Sequence, residues 1–170
     1  MLIVDNYLPE TSHQAMRNYL FSPKPNWTYN SYKVNKKEST DSFQFTHTFY
    51  RCFKRGKHPV YADIGVVQPL LEKIEPEIIL KIKANITPRT AEPDKTDFHT
   101  DFCPLMNSTT AIYYINSNNG YTEFETGEVV ESVANRIVFF KVGERHRGVS
   151  CTDAKSRVVL NLNFFPRVLT

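Results

Sequence analysis

The sequence predicts a mainly β domain with flanking helices, built as a jelly roll or another two-sheet barrel. Apolar residues follow the helical period in the N-terminal part, and the period changes to two at Ile78. Seven further strand-like segments then follow at short spacing with turn residues between them. At 170 residues the chain fits one domain with a core large enough to need no disulfide or structural metal. Residues 1–170 are therefore read as a single domain, with a helical part over about 1–77 and a jelly-roll core over about 78–165.

Leu2 to Val4 reads as a short strand, and Pro9 to Phe21 as a helix with Met16, Tyr19 and Leu20 on one face, stopped by Pro23 and Pro25. Asn26 to Asp41 is polar, with Trp27, Tyr29 and Tyr32 as scattered anchors, and reads as irregular or weak strand. A second helix is expected over Tyr61 to Ile74, where Ile64, Val67, Leu70, Leu71 and Ile74 keep the helical period. Pro69 should bend it or limit its first half.

From Ile78, the residues Leu80, Ile82, Ala84 and Ile86 face one way and Lys81, Lys83 and Asn85 the other, the mark of a half-buried strand. Strands are then expected at Phe98 to Asp101, Thr109 to Asn116, Tyr121 to Glu125, Val129 to Val133, Arg136 to Lys141, Arg145 to Ser150 and Arg157 to Phe165. Asn118-Asn119-Gly120, Thr126-Gly127, Val142-Gly143 and Thr152-Asp153 supply the turns.

The net charge of +3 is mild, and apart from Lys36-Lys37 and the cluster Lys54 to Lys57 the basic residues are scattered. Nucleic acid is not an expected partner, because affinity for phosphates needs a denser basic patch. Three cysteines, Cys52, Cys103 and Cys151, form no CxxC pair, which argues against a disulfide framework or a zinc ribbon and for a reducing compartment. The N-terminus meets a charge and a proline too soon for a signal peptide, and no run approaches membrane-spanning length, so a cytoplasmic protein without membrane contact is expected.

The chemistry-bearing residues are His99-Thr100-Asp101, His146 and Arg157. A His-x-acid pair means little by itself in a chain with five histidines and 18 acids, and could be a polar pair at a strand end. Residues two apart on a strand share a face, however, so His99 and Asp101 can converge on one ion. His146 sits in Gly143-Glu144-Arg145-His146-Arg147-Gly148, too polar and glycine-flanked for an ordinary core histidine. Two imidazoles and a carboxylate can hold iron(II) on one face and leave positions for substrate, cosubstrate and dioxygen. Arg157 opens an apolar strand on which Val159, Asn161 and Asn163 share its face, a pattern that suggests a polar cavity. Its guanidinium could grip a carboxylate bidentately, although a rim ion pair is the ordinary role of such a residue.

In order and spacing, His99, Asp101, His146 and Arg157 resemble the iron(II)- and 2-oxoglutarate-dependent dioxygenases, within them the prolyl 4-hydroxylase-like branch. The resemblance runs through Ala111 to Asn116 and through Gly120-Tyr121-Thr122-Glu123-Phe124, similar to the branch's tyrosine-bearing strand and Gly-x-Thr-x-Phe segment. Asp5-Asn6-Tyr7-Leu8-Pro9 ahead of a helix is similar to the opening of small stand-alone members, including phage-encoded ones.

The resemblance implies a double-stranded β-helix, a cupin-like jelly roll whose N-terminal helices pack along the larger sheet. It implies iron(II) on His99, Asp101 and His146, and 2-oxoglutarate held by Arg157 and Tyr114 with Asn161 as a polar neighbour. Dioxygen would be consumed, with ascorbate as a candidate reductant. The implied reaction hydroxylates a C–H bond of a small-molecule or peptide substrate and releases succinate and CO2. A further tyrosine found in some relatives on the strand before His-x-Asp is missing, and Ile86 is expected in its place. Two other readings stand beside this one: a non-enzymatic jelly-roll binding or structural module, and a nucleobase demethylase-type dioxygenase, whose Arg-x5-Arg pattern this chain breaks with Arg157 and Asn163. Substrate choice is assigned to the loops Thr87 to Asp97 and Tyr32 to Phe43.

Overall fold

The computed structural model describes residues 1–34, 43–52, 60–101 and 108–167. The helical part contains β1 (Leu2–Val4), α1 (Glu10–Leu20), β2 (Thr28–Asn30), β3 (Gln44–Arg51), β4 (Val60–Tyr61), a 3₁₀ turn at Ile64–Val67 and α2 (Gln68–Ile74). The C-terminal part contains β5 (Pro76–Pro88), β6 (Thr109–Tyr114), β7 (Tyr121–Phe124), β8 (Val129–Glu131), β9 (Ile137–Lys141), β10 (His146–Val149) and β11 (Ser156–Pro166). All pairings are antiparallel. The larger sheet runs β1-β9-β6-β11-β5-β3-β2 with β4 on β3, and the smaller runs β10-β7-β8.

Alternation along the central strands builds two cores. Ile82 and Ala84 of β5, Ala111 and Tyr113 of β6, and Val158, Leu160 and Leu162 of β11 face the helices, where Met16 and Leu20 of α1 and Leu70 of α2 cover them. The opposite face contributes Ile112, Tyr114 and Val159, which meet Phe124 and Val130 of the small sheet. Fully burying one such aliphatic chain is worth about 1.5–3 kcal/mol, which outweighs the few tenths per residue of helix propensity and fixes the sheet register.

Several elements depart from expectation for local reasons. The helix expected over Tyr61 to Ile74 divides, because Pro69 lacks an amide N–H and fits only the first turn of α2; a 3₁₀ turn precedes it. The strand expected at Phe98 to Asp101 reduces to one bridge, His99 to His146. The strand β3 has no counterpart in the sequence expectation, since Gln44, Thr46 and Thr48 alternate with Phe45, His47 and Phe49 and a bulge follows at Thr48–Tyr50. Of Asn26 to Asp41 only β2 is regular, and residues 35–42 lie outside the described part. Cys52 and Cys151 are buried free thiols, and Cys103 is outside the described residues. Among the described residues no helix is long and apolar enough to cross a membrane.

Candidate metal centre

His99 and His146 form a single antiparallel bridge in which each backbone N–H donates to the other's carbonyl at 3.0 Å. Directly opposed residues send their side chains to the same face, and the two rings lie 4.9 Å apart between centroids. Asp101, two residues further on, joins them. Its Oδ1 is 3.7 Å from His99 Nε2 and its Oδ2 is 4.0 Å from His146 Nε2. One ligand atom from each of the three lies within 4.8 Å of the others.

The protonation states suit a cation. Each Nδ1 lies 3.1 Å from a backbone carbonyl two residues back, Asp97 for His99 and Glu144 for His146. A carbonyl only accepts, so each Nδ1 carries a proton, and the neutral form of each ring presents its lone pair at Nε2. Burial pushes the His146 imidazole below its ordinary pKa, against the pull of Asp101, and favours the neutral ring. For Asp101, burial alone would raise the carboxyl, but His99, Lys81 and His146 outweigh it and hold the group well below the usual carboxylate range. Its Oδ2 is buried without a hydrogen-bond partner among the described residues. Such an orphan acceptor costs about 1–3 kcal/mol, and two lone pairs and a carboxylate around one point are what a divalent ion with mixed N/O preference needs. The residues present fit iron(II).

Arg157 occupies the closed end of the same cleft. It is 5% exposed, its Nε donates to Ser132 Oγ at 2.9 Å and its Nη2 to Thr122 Oγ1 at 2.9 Å. Thr122 also accepts from the Tyr114 hydroxyl at 2.8 Å, and the guanidinium lies 5.5 Å from the centre of the Tyr114 ring. Burial lowers the guanidinium pKa and only Tyr114 and Cys151 oppose it, so among the described residues no carboxylate compensates this charge. Desolvating an unpaired ion costs several kcal/mol, more than two hydroxyl contacts return, and an anionic ligand would close the gap. Thr122 pairs with Gly148 and Phe124 with His146, so the arginine's anchor lies two residues along the small sheet from the metal ligand, about 7 Å away. That separation suits the span of a short dicarboxylate.

The segment Gly120 to Phe124 acquires a physical reading. Gly120 leaves room for the arginine stem, Thr122 links Arg157 to Tyr114, and Phe124 lies beside the His146 ring at 6.0 Å. Tyr113, on the other face of β6, belongs to the helix-side core, bonded to His13 and Asn135. Asn161 lines the cleft, and its Oδ1 is buried without a partner. Asn163 does not reach the cleft; its Nδ2 donates to Thr110 at 2.9 Å.

The strand register corrects the expectation for Ile86. Alternation turns Ile86 toward the helix-side core, and Asn85 and Thr87 are the β5 residues that line the cleft near Arg157. The same alternation brings in residues the sequence reading had not placed at the site. The Lys81, Lys83 and Asn85 face of β5 looks into the barrel, because the small sheet covers it. Lys81 Nζ lies 3.4 Å from the Asp101 carbonyl, and Lys83 lines the cleft. Lys33, Val34, Gln44, Thr87 and Thr96 also border it, so both loops assigned to substrate choice contribute described residues.

No family model matches the sequence, and no curated protein matches it either. Solved structures do match. A prolyl hydroxylase from Trichoplax adhaerens, in complex with a hypoxia inducible factor oxygen degradation domain peptide, aligns at TM-score 0.62 over 97% of this chain and 83% of that one, with 14% identity. The viral collagen prolyl hydroxylase from Paramecium bursaria Chlorella virus-1, as its 2OG complex, aligns at 0.60 over 98% and 96% with 12% identity. A prolyl-4-hydroxylase from Pseudomonas putida aligns at 0.56 over 98% and 92% with 16% identity. The chain has their fold. The mainly β jelly roll expected from the sequence is therefore the fold these structures share.

Proposed function

We propose that the protein is an iron(II)- and 2-oxoglutarate-dependent oxygenase that hydroxylates a C–H bond of a small-molecule or peptide substrate. The observation that carries this reading is the pairing of two elements in one cleft: the His99, Asp101 and His146 cluster, with a carboxylate oxygen that has no partner among the described residues, and a buried arginine without a counter-charge among them. Iron(II), 2-oxoglutarate and dioxygen would together supply the oxidising chemistry, with succinate and CO2 as coproducts.

The chain's own residues bind, orient and exclude water. The Asp97 and Glu144 carbonyls fix both imidazole tautomers, so His99 and His146 would ligate through Nε2. Arg157, steadied by Thr122 and Ser132, would take the far carboxylate of 2-oxoglutarate. Burial raises the Tyr114 pKa and keeps its hydroxyl protonated, a donor that supports Thr122. Asn161 would complete the polar lining. Prolyl peptides are the first substrates to try, because the neighbours above are prolyl hydroxylases.

Two measurements test the reading. Anaerobic titration should find one iron(II) per chain in the parent and loss of that binding in His99→Ala, Asp101→Ala and His146→Ala; unchanged binding in all three overturns the metal assignment. Conversion of 2-oxoglutarate to succinate, with iron(II) and ascorbate present, separates an oxygenase from a jelly-roll module that only binds. Absence of succinate from iron-loaded protein across a peptide and amino-acid panel would favour the module.

A further inference from the structure

The cleft holds more positive charge than a cosubstrate needs. Across the β5–β11 ladder, Thr87 lies opposite Arg157, Asn85 opposite Val159, and Lys83 opposite Asn161. Four residues of strand separate the Arg157 level from the Lys83 level, about 13 Å. The guanidinium is tied to Thr122 and Ser132 at the closed end. A cosubstrate spanning Arg157 and the metal ligands therefore does not account for Lys83.

Other cations at the cleft are engaged. Lys33 is ion-paired with Asp94, and Lys81 reaches the Asp101 carbonyl. The Lys83 side chain makes no hydrogen bond or ion pair among the described residues. Its ammonium is buried, and that burial together with the neighbouring charges of Lys81 and Arg51 pushes its pKa down to about 8. Only the Asp101 carboxylate favours its charge, and a bound divalent ion would cancel that support. An anion delivered by the substrate would relieve the whole arrangement.

We infer that the substrate carries a carboxylate and that Lys83 receives it on the open side of the metal centre. This rests on the oxygenase reading and adds the substrate's chemical class to it. A lone buried ammonium balances the single negative charge of a carboxylate, whereas a phosphate dianion would leave one charge uncompensated in the cleft.

The test uses matched acids and carboxamides in three arms: free amino acids, N-acetyl amino acids, and end-blocked peptides with internal Glu or Gln. Substrate-stimulated succinate formation is measured in the parent, Lys83→Met and Lys83→Arg. Acids should stimulate and their amides should not, and the arm that responds identifies the carboxylate as α-linked or side-chain. Lys83→Met should raise KM for the active acid about tenfold or more without a matching rise in KM for 2-oxoglutarate, and Lys83→Arg should recover most of the loss.

A second readout needs neither metal nor turnover. Trace acetylation of the parent by acetic anhydride at about pH 8, located by mass spectrometry, should show Lys83 protected by acids and not by amides. Equal stimulation or protection by acids and amides overturns the proposal, as does protection by no compound or protection by 2-oxoglutarate alone, which would place Lys83 in the cosubstrate site. Selective protection without any succinate keeps the carboxylate site and removes the oxygenase reading.

Discussion

Gly120 and Arg157 share one space: a β-carbon built on Gly120 would lie 2.9 Å from Cδ of Arg157, 2.8 Å from the Val149 carbonyl oxygen and 2.8 Å from Asn118 Oδ1. The arginine stem crosses the start of β7 there, and its guanidinium meets both Thr122 and Ser132. A methyl group there must move backbone as well as side chains. Gly120→Ala should therefore cost about 1–3 kcal/mol of stability and weaken 2-oxoglutarate binding while iron(II) binding survives. Gly65→Ala, whose β-carbon would meet nothing within 4 Å, is the control and should be neutral or slightly stabilising in denaturant unfolding. Equal effects at the two glycines would show that Gly120 does not act through the arginine.

Arg157 should separate stability from ligand affinity. Because its charge is buried without a carboxylate among the described residues, replacing it by the similarly long, uncharged Met removes a desolvated ion rather than half of an ion pair. Arg157→Met should leave the ligand-free protein as stable as the parent or more so, and lower 2-oxoglutarate affinity by about 2–5 kcal/mol. Calorimetric titration and chemical unfolding read the two quantities. A large loss of stability with unchanged affinity would make the arginine structural.

What could be read from the residues follows from how local each signal is. The strands Ile78 to Ile86 and Arg157 to Phe165 were legible because aliphatic alternation runs through most of their length. His99, Asp101 and His146 were legible as a set because one strand step and one cross-strand pair suffice to join them. Lys81 and Lys83 were taken for an outward face, since a polar alternate looks the same against solvent as against a polar cavity; only the small sheet's position distinguishes the two. The roles of Thr122 and Ser132 depend on side chains 35 and 25 positions from Arg157, with no local pattern to reveal them. Ile86 packs on the core while Asn85 and Thr87 line the cleft, because in a strand one residue exchanges core for cleft.

The two tyrosines of β6 should report on different properties. The Tyr114 hydroxyl is bonded to Thr122, which also holds Arg157, so Tyr114→Phe should weaken 2-oxoglutarate binding by up to about 1.5 kcal/mol through a looser guanidinium. The Tyr113 hydroxyl donates to Asn135 Oδ1 at 2.8 Å and lies 2.7 Å from His13 Nδ1. Tyr113→Phe leaves both partners buried, and should cost about 1–3 kcal/mol of stability with cosubstrate affinity unchanged. The reverse pattern would mean that the β6 side chains are assigned to the wrong faces.

His13 should make the fold sensitive to acid. Since the Tyr113 hydroxyl gives its proton to Asn135, it accepts from His13 Nδ1, and Nε2 is left deprotonated and buried without a partner. Burial lowers the pKa of this imidazole from 6.5, helped by Arg17 and opposed by Glu10. In the unfolded chain the ring takes up a proton as pH falls below about 6.5, while the folded state resists until its own lower pKa. The unfolded state thus binds more protons in that window, and stability that is fully present above pH 6.5 declines toward acid. Each unit of depression corresponds to about 1.4 kcal/mol. His13→Gln keeps a donor toward Tyr113 but cannot be protonated, so urea unfolding followed from about pH 7.5 to 5 should show a shallower decline than in the parent. Parallel profiles would mean that the acid sensitivity resides in other groups and that His13 is protonated as readily in the fold as outside it.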